Sequence, residues 1–522
     1  MSQVGLEPGT LLVTRVGSTE AYSGLSSHLS ETLVKVKPLS PRLPLSSLPL
    51  SSSQTRIEST MNLIRKSIAS SISLTNKTSN VSLYLSSLVL NSRPFSAQTA
   101  EYEKRNYANN IAEYNTVIGS LIAQRRPYLL RDVYDDMMLD GVQPVRDTFH
   151  SLIIGTMKGS RLDDAFYFRN EMKTMGLHPD VNLYNFLIAA CGKCNDSNAA
   201  LKLFQEMKIY GVKPKRETYI CLLNALAANG LTDQVYGVVR DMTAAGLALN
   251  RFCYAGLITA YKNKAPVSAE TFMKIVEYVE QSLNGWSSVE QASDGGENFM
   301  MNVSEEELYN IPTAEFVNRR GFISRQLTVF HVALYACADL KSKETMEKVL
   351  DMLKKGGYSF DAFIAMQVIR CYLQCGDIDS GLRVFEEYTS SRAPFPELYV
   401  TFVEGAMIGY TERGMQLAQN FLEAMNGRGF FLNPRMGSEL LLVAAGEKAG
   451  GYVTANYIWD LLQSRKIVPT FPAVEAYHKG LKERDIPADD PRLIVVQRTL
   501  DDQQSRFGPR RNNAFAGQNT SR

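Results

Sequence analysis

Residues 181–215 read VNLYNFLIAACGKCNDSNAALKLFQEMKIYGVKPK, and their spacing decides the fold. Tyr184, Leu187, Ile188 and Cys191 stand at i, i+3, i+4 and i+7, the apolar stripe of an amphipathic helix. Gly192-Lys193-Cys194-Asn195-Asp196 interrupts that stripe. A second helix follows with Ala200, Leu203, Phe204 and Met207 on one face, and Gly211 and Pro214 close it. A lone helix hairpin cannot bury two stripes, so such units have to stack on one another.

The neighbouring sequence supplies the units to stack. Met137, Met172, Met207 and Met242 are each 35 residues apart, as are Gly141, Gly176, Gly211 and Gly246. Pro144, Pro179 and Pro214 keep the same step, and so do the aromatics Tyr114, Phe149, Tyr184, Tyr219 and Tyr254. A shared lag in three residue types marks an internal repeat. The predicted fold is therefore all-α: a right-handed superhelical solenoid of stacked helix–turn–helix repeats, its concave face lined by the first helix of each unit. Units are expected at 111–145, 146–180, 181–215, 216–250 and, less regularly, 251–285. After an interruption come 327–361, 362–396, 399–433 and 436–470, then a lone first helix near 471–484.

Tyr184-Asn185-Phe186-Leu187-Ile188, Leu203-Phe204-Gln205-Glu206-Met207 and Gly176-Leu177-His178-Pro179-Asp180 resemble the pentatricopeptide repeat of the plain 35-residue type. Tetratricopeptide units share the architecture but run about 34 residues, and the Gly-x-x-Pro close favours the former. The resemblance implies single-stranded RNA as partner, one base per repeat, with two side chains per unit reading the base edge. These are the residue after the first-helix aromatic and the residue after the closing proline. Two before the aromatic, an aliphatic residue wedges between bases, and a lysine late in the first helix meets phosphate.

Carried onto this chain, the reading pairs are Asn115 with Val145, His150 with Asp180, Asn185 with Lys215, and Ile220 with Asn250. None is the family's usual pairing of Asn or Thr with Asp, Asn or Ser, and Val145 and Ile220 carry no side-chain donor or acceptor. The wedge positions hold Ala112, Asp147, Asn182 and Glu217, two of them carboxylates that would repel a phosphodiester strand. Phosphate-contact lysines survive as Lys158, Lys193 and Lys448, while equivalent positions hold Ala123, Ala228, Asp339 and Gln374. The RNA-facing candidates are thus Asn115, His150, Asp180, Asn185, Asn250, Lys158, Lys193 and Lys448, in a framework whose base-reading code is largely lost.

Charge divides along the chain. Residues 1–95 hold nine Lys/Arg against four Asp/Glu, leaving 47 basic and 50 acidic residues in the other 427. A slightly acidic folded part is a poor profile for gripping nucleic acid through phosphate charge alone. Residues 1–60, rich in Ser, Leu and Pro, form an unassigned leader. From Ser59 to Ala100 there is no Asp or Glu, but Arg65, Lys66, Lys77, Arg93 and ten serines between Ser67 and Ser96. That is the composition of an organellar transit peptide, expected at 61–95. Its end, Arg93-Pro94-Phe95-Ser96, resembles the cleavage site of plant mitochondrial presequences, which places the protein in the mitochondrial matrix. N-terminal repeats are expected over 96–285, an insert over 286–326 and degenerate C-terminal repeats over 327–470. Residues 471–522 should be a terminal helix and a flexible basic tail whose Arg506, Arg510 and Arg511 could reach a phosphate backbone. Between residues 286 and 318 lie seven acidic residues and no Lys or Arg. Such a stretch cannot sit against RNA, and reads as a solvated surface loop or a protein-docking insert.

No catalytic constellation, metal site, cofactor or small-molecule substrate is indicated, and no run approaches the roughly 18 apolar residues of a membrane span. Cys191-Gly192-Lys193-Cys194 lacks a second CxxC or paired His at zinc spacing, so its cysteines are expected to be core. The five histidines form no cluster in sequence. The sequence thus points to a non-enzymatic structural component of the plant mitochondrial ribosome, in its small subunit, touching rRNA and neighbouring proteins. The competing readings are a sequence-specific factor for one mitochondrial transcript and a protein-only scaffold.

Overall fold

A computed structural model describes residues 107–284, 303–448, 452–484, 486–487 and 489–507. Contacts divide the chain into residues 1–102 and 103–522, and every described residue lies in the second unit. The expected transit peptide at 61–95 falls outside the described residues, as do Arg510 and Arg511.

All regular structure among the described residues is helical. The first five hairpins are α1 (Ile111–Ala123) with α2 (Leu130–Leu139), α3 (Arg146–Lys158) with α4 (Leu162–Thr174), and α5 (Val181–Lys193) with α6 (Ser197–Ile209), followed by α7 (Arg216–Ala227) with α8 (Thr232–Ala244) and α9 (Arg251–Asn263) with α10 (Ala269–Asn284). A short helix, α11 (Glu305–Leu308), stands alone. Five more hairpins complete the array: α12 (Thr328–Asp339) with α13 (Lys343–Lys355), α14 (Ala362–Gln374) with α15 (Ile378–Ser391), α16 (Pro396–Ala406) with α17 (Glu412–Gly427), α18 (Pro434–Ala444) with α19 (Val453–Ser464), and α20 (Phe471–Lys482) with α21 (Pro491–Phe507).

Local chemistry sets the ends of each helix. In the third hairpin the Asp180 carboxylate accepts from the Leu183 amide at 2.9 Å and the Asp196 carboxylate from the Ala199 amide at 2.9 Å. Both are side-chain caps of otherwise unpaired N-terminal amides. Gly211 ends α6 at φ +71°, with open space where a Cβ would stand. The glycine there is required by backbone conformation and not by crowding.

Packing then joins the units. Met137, Met172, Met207 and Met242 are all fully buried, each in its own hairpin. First helices pack on first helices from α1 through α20. At Gly192 a Cβ would lie 3.1 Å from the Ala225 Cα, so this glycine permits the close approach of α5 to α7. The stack is not broken by the insert. Helix α9 packs directly on α12, and Asp339 receives Lys262 and Arg370, each at 2.7 Å. Buried apolar side chains form two contiguous clusters, Ala108–Tyr372 and Phe322–Leu500, which overlap in α14.

The C-terminal end departs from expectation. Instead of a lone first helix, α20 is partnered by α21, which buries Leu493, Val496 and Leu500. The 35-residue lag misses α21 because it closes the array and keeps no repeat phase. Residues 503–507, expected in a flexible tail, are its last turn, and Gln503 Nε2 donates to the Pro469 carbonyl at 2.6 Å. Arg506 is therefore helical.

Candidate nucleic-acid interface

The surface made by the first helices carries the predicted reading positions, and most are engaged within the protein. Asn115 Oδ1 accepts from Thr148 Oγ1 of the next repeat at 2.9 Å. His150 is buried, its Nε2 3.3 Å from Asp180 Oδ1. Burial alone would raise the Asp180 carboxyl, but the His150 imidazole, the Leu183 amide and Arg146 together hold it below its ordinary value. Asn250 caps α9, accepting from the Phe252 and Cys253 amides at 3.1 Å each. Asn185 is buried, and its Oδ1 has no hydrogen-bond partner. Ile220 is buried too, while Val145 and Lys215 are exposed. The second reading position of each unit is also the N-cap of the next helix, which explains why the Asp180 and Asn250 side chains are taken up by helix amides.

One pair was not singled out in the sequence. His331 and Asp361 occupy the same two positions in the sixth hairpin, at 2.7 Å and both buried. Their 30-residue spacing equals that of His150 and Asp180, a signal readable from the histidine and aspartate positions alone.

Lys158 and Lys193 are the last residues of α3 and α5, as the repeat pattern requires. Lys448 is exposed and lies beyond the end of α18, so the phase that placed it late in a first helix has slipped there. Of the CxxC, Cys191 is fully buried, with its thiol pushed up to about 12 by burial. Cys194 Sγ donates to the Ser160 carbonyl at 3.4 Å.

The insert overturns the expectation of a solvated loop for residues 303–318. Ser304 caps α11, accepting from the Glu307 amide at 3.1 Å, and α11 packs against α5 on the first-helix surface. Glu307 pairs with Lys158 at 3.1 Å and Glu305 with Arg251 at 3.5 Å. Glu306 is 1% exposed. Tyr309 is buried with its ring 4.8 Å from Phe252. Further along, Phe316 stacks on Phe322 at 4.7 Å and meets Phe363 at 5.8 Å. Arg319 pairs with Glu397 and Glu315 with Arg435, both at 2.6 Å. Every one of these partners in the array belongs to a first helix, from α3 to α18. Composition leaves a solvated loop and a docking insert both open, because an acidic stretch looks solvated until the basic side chains that neutralise it are known.

Burial lowers the Lys193 ammonium below its ordinary pKa, opposed by Glu307 and reinforced by Lys158. Among the described residues no group of three or more His, Cys, Asp and Glu could hold a metal ion, and no helix is long and apolar enough to cross a membrane.

The ten hairpins among the described residues, joined through their first helices, define a helical-repeat protein of the α-solenoid class. More particularly, the chain belongs to the pentatricopeptide repeat family. A mitochondrial pentatricopeptide repeat-containing protein of Arabidopsis thaliana is 54% identical over 417 residues, covering 80% of this chain and 94% of that protein. The profile described as PPR repeat family matches residues 179–228, and that described as PPR repeat matches 147–177, 217–247 and 366–391. A chloroplast member from the same plant is 28% identical over 167 residues, 30% of this chain and 22% of its own length. Among solved structures, the protein PPR10 in complex with an 18-nt psaJ RNA element is 20% identical, with a TM-score of 0.34. That match covers 77% of this chain, and the chain spans 57% of the length of that structure. This member is mitochondrial, as is the 54% identical relative.

Proposed function

We propose that the protein is a structural component of a mitochondrial ribonucleoprotein, the ribosome being the particle its features fit best. It would contact RNA by shape and scattered charge while docking neighbouring proteins. Membership of the family makes RNA the expected partner. What carries the structural over the base-reading role is the state of the reading positions. Asp180, Asp361 and Asn250 cap helices, His150 and His331 face those aspartates, and Asn185 and Ile220 are buried. Side chains so engaged are not available to base edges. The unmatched pairs and the carboxylates Asp147 and Glu217 at wedge positions point the same way.

Residues 61–95 are proposed as the presequence that delivers the protein; Lys158 and Lys193, once α11 leaves the first-helix surface, and the tail arginines are proposed as its residual phosphate contacts. Sedimentation of mitochondrial extract, with and without RNase, tests the proposal. The protein should travel with a ribosomal subunit and leave that fraction when rRNA is digested. Migration as a small complex indifferent to RNase would favour the protein-only scaffold. Release together with one transcript would favour the transcript-specific factor.

A further inference from the structure

We propose that the acidic head of the insert, residues 304–311, is a built-in occupant of the first-helix surface that keeps RNA off the second to fifth repeats. The argument starts from charge. Lys158 and Arg251 are basic side chains of that surface, and each is paired with a carboxylate of α11 where a phosphate would otherwise sit. The carboxylates and their partners are partly exposed, so these ion pairs are weak and sensitive to salt.

Glu306 shows that the head is held at a cost. It is 1% exposed, neither carboxylate oxygen receives a hydrogen bond, and Arg325 Nε stands 3.4 Å away. A buried carboxylate with so little compensation favours departure of the segment that carries it. Tyr309, seated against Phe252, supplies the opposing apolar hold. The portion after it is anchored separately through Phe316, Phe322 and Arg319. The head can therefore leave while the rest of the insert stays.

This inference rests on the proposed contact with RNA and specifies where that contact is blocked. The test compares the full chain with a double variant, Glu305→Gln and Glu307→Gln, which removes the two holding ion pairs and keeps Glu306, in binding a mixed-sequence single-stranded RNA over a range of salt. The variant should bind at least tenfold more tightly. Its logarithmic salt slope should steepen by up to about 1.4, since the two released basic side chains, Lys158 and Arg251, would each add about 0.7. In a correctly folded variant, unchanged affinity and slope would overturn the proposal. Hydrogen exchange on the unmodified chain supplies an arm independent of the variant's folding. Saturating RNA at low salt should speed exchange of the 305–309 amides but not of α14, and no change at 305–309 would overturn the proposal. The sedimentation experiment fails or succeeds separately, because it asks whether the protein joins a particle and not what covers its surface.

Discussion

Replacing Asp361 by alanine tests whether the reading positions have become structural. The carboxylate is 6% exposed and accepts three hydrogen bonds, from His331 at 2.7 Å, the Ile364 amide at 2.9 Å and the Ser324 amide at 3.0 Å. Losing the cap of α14 costs about 1 kcal/mol. Stranding the buried His331 imidazole costs about 1–3 kcal/mol more, so the total is about 2–4 kcal/mol. Asp361→Asn should recover roughly half, because asparagine caps nearly as well as aspartate but brings no charge. Burial pushes the Asp361 carboxyl up, yet His331 and the two amides outweigh it and hold the folded pKa below the ordinary aspartate value. A depressed folded pKa means the stabilisation is complete above the unfolded carboxyl's pKa and disappears as pH falls through the folded one. The gap between wild type and Asp361→Asn should therefore close in acid. Because a repeat array need not unfold in one step, hydrogen exchange across α12 and α14 alongside urea denaturation is the assay. If Asp361→Ala exchanged and melted like the wild type, the pair would be ornamental and the structural account of these positions would fail.

Further expectations concern the core, the reading positions and the address. Met207→Ala should cost about 2–5 kcal/mol as a core truncation, with exchange accelerating in the adjoining repeats before distant ones; uniform loss across the array would contradict a nearest-neighbour stack. Residues 96–522 should bind single-stranded RNA at micromolar affinity or weaker, without marked sequence preference and with loss as salt rises. Asn185→Ala should barely alter that binding or the association with the particle, whereas a nanomolar, sequence-selective isotherm abolished by the substitution would restore base reading. Charge reversal at Lys158 and Lys193 should weaken co-sedimentation with the ribosomal fraction. Sequencing of the mature protein should find its N-terminus within a few residues of Ser96, and residues 1–60 on the mature chain would refute the presequence.

The repeat, the helix faces and the family were all legible in the sequence, because a fold built from identical contacts prints the same residues at a fixed interval. Met172 and Met207 recur at 35 residues for the reason that each fills the same hole between two helices. The register at Gly211 is legible too, since only glycine takes that backbone conformation freely. What tertiary structure alone decided lies outside the repeat. Helix α21 has no phase to betray it, and its burial depends on an open end of the stack that exists only once the other hairpins are in place. The insert is the sharper case. Glu305 and Glu307 have no basic neighbour in sequence to predict a partner, and find Arg251 and Lys158 through pairings that span 54 and 149 residues of chain. Electrostatic complementarity of that kind is a property of two surfaces brought together, and a linear sequence holds only one of them at a time.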